Sequence, residues 1–260
     1  MIPCRNSKAR ILFLALIIQF LFFTSCFAAK YSFAVFGDNR SGDAVFTDLI
    51  NKINKDSDII FAINTGDLTN TGSEKEYDNY WKMTRSAKVK IYDTLGNHDV
   101  GVKDRGIAIF KEKYGSNYYY FDHENVRFIL LDNTVNIGEK GFGKKQAKWL
   151  KNLLKTNKKV FVFMHKPLFD PTGTFPNYVM IPRSANNELS GILKAPKVKA
   201  VFAGHIHGYG REVKKGVLYI VTAGAGAPLY LSHSNGGFNH YIKITVDGDK
   251  IMDEVVKLYE

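Results

Sequence analysis

Five times along this chain a short apolar run leads into a side chain able to bind a metal, four times through a glycine. Phe33-Ala34-Val35-Phe36 precedes Gly37-Asp38, Ile59 to Ile63 precedes Gly66-Asp67, and Val89 to Leu95 leads into Gly96-Asn97-His98-Asp99. Val160 to Met164 then runs into His165, and Val198 to Ala203 into Gly204-His205-Ile206-His207. Apolar runs of this length bounded by glycine read as buried strands. The first three alternate with helical periodicity, a βαβαβ rhythm that implies neighbouring parallel strands joined by right-handed crossovers. Spacings of 29 residues from Asp38 to Asp67 and 30 from Asp67 to Asn97 fit one crossover each. Loops that follow parallel strands gather at one sheet edge, where ligands bind. Residues far apart in sequence are thereby expected to converge.

In chain order, Tyr31 to Phe36 is the first strand, and a helix follows from Asp43 to Lys55 with Val45, Leu49, Ile50 and Ile53 on one face. Asp58 to Ile63 is the second strand. Ser73, with Glu76 three residues on, forms a capping box that opens a helix running through Trp81 to Ala87. After the third strand comes a helix from Asp104 to Tyr114, then a hairpin of Tyr118 to Asp122 and Val126 to Leu131. Lys144 to Leu154 reads as a helix, and Pro167 stops the strand that ends at His165. The segment Leu168 to Asn187 carries three prolines and no periodicity, a long loop of the kind that shapes specificity beside a site. A short helix near Asn187 to Leu193 precedes the His205/His207 strand. Val217 to Val221, Tyr241 to Val246 and Lys250 to Leu258 alternate as antiparallel strands, which are assigned to a second sheet. The expected architecture is α/β, two sheets with helices outside, in one domain of residues 29–260.

The N-terminus stands apart. Arg5, Lys8 and Arg10 precede the 13 residues Ile11 to Phe23, broken only by Gln19, which is short for a membrane span and suits a secretory leader. Residues 1–28 are therefore read as a signal peptide, cleaved after Ala28. The alternative is a lipoprotein leader of residues 1–25, in which Phe23-Thr24-Ser25-Cys26 makes Cys26 a lipidated membrane tether. Either way the chain is expected to be exported, periplasmic or extracellular. Cys4 lies in the leader, so no cysteine pair is left for a disulfide and a hydrophobic core must hold the fold. That core has material, since 45% of the 260 residues are apolar. Removing the leader lowers the net charge from +11 to +8. The lysines are dispersed without interleaved aromatics, so no nucleic-acid recognition motif is present.

Asp, Asn and His offer hard and intermediate donors suited to Zn, Mn or Fe. Two such ions about 3.5 to 4 Å apart can activate water and brace a phosphoryl group. Gly37-Asp38, Gly66-Asp67, Gly96-Asn97-His98-Asp99, His165 and Gly204-His205-Ile206-His207, in that order, resemble the motifs of the calcineurin-like metallophosphoesterase family. The resemblance spans about residues 30 to 250. It implies a four-layer α/β/β/α sandwich of two mixed β-sheets flanked by helices, and a site for two divalent or trivalent ions. Asp67 would bridge them, Asn97, His165 and His205 would hold one, Asp38 and His207 the other. His98 would serve the leaving group as an acid.

Two positions depart from the family pattern. Where Asp-x-His is usual, this chain has Asp38-Asn39-Arg40, and a guanidinium has no lone pair for a metal. One ion is then bound weakly or missing, and Arg40 is assigned a grip on substrate phosphate through forked hydrogen bonds. Three residues after Asp67 stands Asn70, where relatives carry an acid that orients the catalytic His; a neutral amide there makes His98 less basic. The sequence thus points to a metal-dependent phosphoesterase acting on monoesters or diesters of a small molecule or envelope component. The alternatives are a phosphate-ligand binding protein that lost turnover through Arg40, and a nucleic-acid binder working through positive charge alone. His123, His233 and His240 lack such company and read as structural, while Trp81, Trp149 and Tyr118-Tyr119-Tyr120 read as core and sheet residues.

Overall fold

The computed structural model describes residues 30–134 and 142–260. The leader assigned to residues 1–28 lies outside the described residues. Strand β1 (Tyr31–Phe36) is followed by α1 (Asp43–Ile53), β2 (Ile59–Asn64), α2 (Glu74–Thr84), β3 (Lys90–Asp93) and α3 (Arg105–Tyr114). β4 (Tyr119–His123) and β5 (Val126–Leu130) form the expected hairpin, and α4 (Lys144–Leu153), β6 (Lys159–Phe163), α5 (Arg183–Ile192) and β7 (Val198–Ala203) come next. The chain closes with β8 (Tyr209–Lys214), β9 (Val217–Thr222), β10 (His240–Asp247) and β11 (Lys250–Lys257). Among the described residues no helix is long and apolar enough to cross a membrane.

Two mixed sheets stack face to face, one ordered β11-β10-β1-β2-β3 and the other β4-β5-β6-β7-β9-β8. β1, β2 and β3 run parallel, as do β5, β6, β7 and β9. Between the sheets lies a phenylalanine-rich layer, with Phe33 and Phe61 from one sheet meeting Phe128, Phe161 and Phe163 of the other. α1, α2 and α3 cover the outer face of the first sheet through Phe46, Leu49, Tyr77, Tyr80 and Phe110. α4 and α5 cover the second through Ala147, Leu150, Ala185 and Leu189. The central strands β1, β2, β6 and β7 are buried on both faces over most of their length, so they are near-continuous apolar runs rather than alternating ones. The result is the four-layer α/β/β/α sandwich.

Several local expectations need correction. The buried face of α1 includes Phe46 with Leu49, Ile50 and Ile53, and Val45 stands partly outside it. Phe46 lies at the i−3 and i−4 positions from Leu49 and Ile50 and stacks on Tyr80, a larger burial than valine offers. The helix placed near Asn187 begins at Arg183, four residues earlier, on the Pro182 cap. The C-terminal strands do not make the second sheet. β10 pairs antiparallel with β1 and β11 with β10, so both extend the first sheet, while β9 runs parallel to β7 in the second. β8 has no counterpart among the expected strands; it pairs antiparallel with β9 at that sheet's edge. Its sequence, with Arg211, Glu212 and Lys214, lacks the apolar content that marks a strand.

Candidate metal centre

The carboxyl ends of β1, β2 and β3 in one sheet and of β6 and β7 in the other abut at a common edge, where all five motifs meet. Asp38, Asp67, His165 and His207 are all essentially buried there. Asp38, Asp67 and His205 have φ of 60°, 57° and 72°, a left-handed conformation unfavourable to non-glycine residues. Three strained backbones at one point are held by the surrounding loops and aim side chains inward. The Asp67 amide and carboxylate lie against Gly96, where an added Cβ would come within 2.1 Å of both the Asp67 nitrogen and Oδ1. Gly204 likewise leaves room for Asp38, whose Oδ2 would stand 2.3 Å from a Cβ there. These glycines serve close approach, and the motifs need them as much as the ligating side chains.

The hydrogen bonds fix which ring nitrogens face the centre. His165 Nδ1 donates to the Thr65 carbonyl at 3.0 Å, leaving the Nε2 lone pair directed at Asn97 Oδ1, 3.0 Å, and Asp67 Oδ1, 3.3 Å. His205 Nδ1 lies 3.2 Å from the same Nε2. His207 Nδ1 donates to Pro228 O at 2.6 Å, so its Nε2 faces Asp38 Oδ1 at 3.3 Å. Asp38 Oδ1 is buried without a hydrogen-bond partner. Lone pairs crowded against lone pairs repel, and a buried carboxylate oxygen with no donor is costly. Bound cations would resolve both: Asn97, His165 and His205 could hold one, and Asp38 with His207 another, with Asp67 within reach. Ligand atoms of Asp38, Asp67 and His207 lie within 4.8 Å of one another. Among the described residues there is no cysteine, and carboxylate, amide and imidazole donors suit Zn, Mn or Fe.

Burial works against the Asp67 charge, but His165, His98, the His98 amide and Arg40 together bring its pKa below the ordinary value. Burial, then His165, pulls His205 down to about 2, which keeps the imidazole neutral with a free lone pair. For His207 burial is outweighed by Asp38, and its pKa rises.

Arg40 turns into the centre. Its Nε donates to Asp67 Oδ2 at 3.1 Å and its side chain is 14% exposed. A cationic side chain therefore rests on one oxygen of the carboxylate that lies between the two donor sets. His98 is more open, 36% exposed, with Nε2 4.0 Å from that same Oδ2. Its Nδ1 donates to the main-chain oxygen of Asn70 at 2.8 Å, while the Asn70 side chain accepts from Ser41 instead. This corrects the sequence reading of Asn70: the acceptor that orients His98 is the Asn70 backbone carbonyl, which any residue supplies, and not its side chain.

Three contributors were not singled out from sequence. Asp99 accepts from Leu68 N, Thr69 N, Thr69 Oγ1 and Gly96 N, at 2.8 to 3.1 Å, and clamps the Asp67 loop to the Asn97 loop. Burial, then the Asp67 charge, pushes the Asp99 carboxyl upward against the pull of these donors. Asn133 accepts from the His165 and Lys166 amides and donates to Lys166 O, seating the His165 backbone. It follows the apolar run of β5, so the same pattern of strand and polar residue marks it. Lys166 is half-buried, and burial lowers its pKa against the attraction of Asp67.

The two-sheet sandwich and the strand-end motifs together point to the phosphoesterase class. Residues 31–209 match the family model for calcineurin-like phosphoesterases, and the chain belongs to that family. It is 28% identical over 179 residues to purple acid phosphatase 23 of Arabidopsis thaliana, covering 62% of this chain and only 37% of that protein. Over 201 residues it is 28% identical to a probable cyclic nucleotide phosphodiesterase of Ruthia magnifica, 74% of this chain and 80% of that one. Among solved structures, a purple acid phosphatase from yellow lupin (Lupinus luteus) seeds superposes with a TM-score of 0.68 at 16% identity, over 89% of this chain and 52% of that one. That last likeness is one of fold. The relatives include phosphatases and phosphodiesterases alike.

Proposed function

We propose that this chain is an exported, metal-dependent hydrolase of phosphomonoesters or phosphodiesters, with Asp38, Asp67, Asn97, His165, His205 and His207 as the metal donors. The observation that carries this reading is the meeting of unpaired lone pairs, with Asp38 Oδ1 buried and donorless and His165 Nε2 facing Asn97 Oδ1 and His205 Nδ1. Ions bound there supply Lewis acidity toward the phosphoryl oxygens and lower the pKa of water.

The chain's own groups do the rest. Arg40 presents a guanidinium at the Asp67 edge of the centre, placed to hold a phosphoryl oxygen by charge-assisted hydrogen bonds. His98 carries its fixed proton on Nδ1, engaged by Asn70 O, so Nε2 is the atom that hands a proton to the leaving oxygen. Thr65 O and Pro228 O set the tautomers of His165 and His207. Export is supported by the basic residues and apolar run of the first 28 residues, and places the substrate, a small phosphorylated molecule or envelope component, outside the cytoplasm.

One observation favours a second reading. Arg40 already pairs with Asp67, which weakens that carboxylate as a bridge and leaves a single ion, or a phosphate-binding protein without turnover. Bound metal per chain after reconstitution with Mn, Zn or Fe, assayed with a chromogenic phosphomonoester and phosphodiester, separates them. Two ions with turnover support the two-metal enzyme, and one ion with turnover makes Arg40 the second electrophile. Tight metal and phosphate binding without hydrolysis of either ester supports the binding protein.

A further inference from the structure

The mouth of the metal centre is lined by rings that the donors do not use. Tyr230 stacks on the imidazole of His207, with centroids 3.9 Å apart and planes at 19°. Tyr178 lies 6.0 Å from the His205 ring, and the two tyrosines meet edge to face at 5.9 Å and 75°. Phe175 packs against both, at 5.3 and 5.9 Å. Yet Tyr178 is 45% exposed and Tyr230 41% exposed. Large rings gathered at a buried polar centre, and left half in water, offer apolar ring faces to a ligand.

Both loops that carry these rings are braced. Asp170 accepts from Thr172 N, Thr172 Oγ1 and Phe175 N, and Tyr178 N donates to Phe175 O. Asn186 donates to Leu168 O and Met180 O, closing the base of the same loop. On the other side Ala225 N and Ala227 N donate to Gly37 O and Asp38 O, and Tyr230 N to His207 O. The second loop thus hangs from the metal-donor segments themselves. Ring positions fixed by backbone bonds lose little entropy when a ligand stacks on them.

We infer that Tyr178 and Tyr230, buttressed by Phe175, form a specificity-determining platform that selects phosphate esters carrying a planar aromatic group, an aryl or nucleoside ester rather than an alkyl one. The inference rests on the phosphoesterase reading of the centre and adds to it the class of substrate. Because Tyr178 borders His205 and Tyr230 stacks on His207, an ester arm that leaves a phosphoryl group past these two histidines would meet the rings. Stacking tolerates any flat ring, because it reads the π-face and not a hydrogen-bond pattern.

The test compares phenylphosphonate with methylphosphonate, two non-hydrolysable probes, by calorimetry on the metal-loaded full chain, with phenyl phosphate hydrolysis measured on the same preparation. The wild-type protein is expected to bind phenylphosphonate roughly tenfold more tightly. Tyr178→Ala is expected to bring the two within about twofold, and Tyr178→Phe to keep the preference, since the face and not the hydroxyl is read. Because both probes are measured on one protein, a general loss of folding or metal moves both affinities and not their ratio. A ratio unchanged in Tyr178→Ala, equal affinities in the wild-type chain, or binding of neither probe overturns the platform. A ring preference that depends on Tyr178, without hydrolysis of phenyl phosphate, upholds the platform and sinks the hydrolase reading alone.

Discussion

Replacing Asp99 by Asn changes one oxygen for an amide in a fully buried clamp, and the structure sets the size of the effect. Both carboxylate oxygens are occupied: Oδ1 by Thr69 N and Thr69 Oγ1, each at 2.8 Å, and Oδ2 by Leu68 N at 3.1 Å and Gly96 N at 2.8 Å. Thr69 Oγ1 keeps a lone pair and has His98 O as a second acceptor for its proton, so the NH2 that Asp99→Asn introduces turns to the Thr69 side and leaves Thr69 N facing a donor. One buried N–H left unsatisfied costs about 1 to 3 kcal/mol, so the variant should lose about that much. Domains of this kind hold about 5 to 15 kcal/mol in all, which makes the change readily measurable. Urea unfolding of the metal-free protein, with midpoint and slope fitted together, gives the difference. Metal affinity should fall in parallel, because the clamp joins the loop of Asp67 to that of Asn97. A loss below about 1 kcal/mol, with metal affinity intact, would refute the reasoning. It would mean that Thr69 N finds another partner when the Asp99 carboxylate is gone.

Gly204→Ala should weaken metal binding at least about tenfold by calorimetry, a loss of about 1.4 kcal/mol, because its Cβ would stand 2.3 Å from Asp38 Oδ2. Arg40→His should raise the bound metal per chain measured by elemental analysis, since it exchanges a cation paired with Asp67 for a ligand; an unchanged content defeats that assignment of Arg40. Asp93 is fully buried against the hydroxyls of Tyr80 and Tyr114, and burial raises its pKa to about 6. Its folded-state pKa lies above the unfolded one, so between about pH 4 and pH 6 the folded chain holds the extra proton and this group's contribution to stability falls as pH rises. Asp93→Asn should remove that slope, shifting the variant-minus-wild-type stability by about 3 kcal/mol from about pH 4 to about pH 7, and a pH-independent difference would contradict it.

Much of the fold was legible because its signals are local. Apolar runs ending in a polar side chain, through glycine in all but β6, marked β1, β2, β6 and β7, and Ser73 with Glu76 marked the start of α2, where the capping box is present. The family motifs named Asp38, Asp67, Asn97, His98, His165, His205 and His207 before any geometry, and the fold brings these residues to one edge. Where the reading failed, the deciding interaction was long-range. β10 reaches β1 from the far end of the chain, as in the Tyr31–Val246 pair, and alternation within β10 says nothing about which sheet it joins. β8 is held by β9 and by the ion pair of Arg211 with Asp253, not by apolar content.

What the sequence by itself determined, then, was the order of elements, the sandwich class and the chemical identity of the donors, since each depends on residue type and spacing within one strand–loop unit. Only the tertiary structure decided how those units use one another. It gave His98 a backbone partner at Asn70, set Arg40 on Asp67, closed the Asp99 clamp and gathered Phe175, Tyr178 and Tyr230 at the mouth. The physical reason is that a buried polar group or an exposed ring takes its role from the atoms packed around it, and those come from loops that meet only once both sheets are assembled.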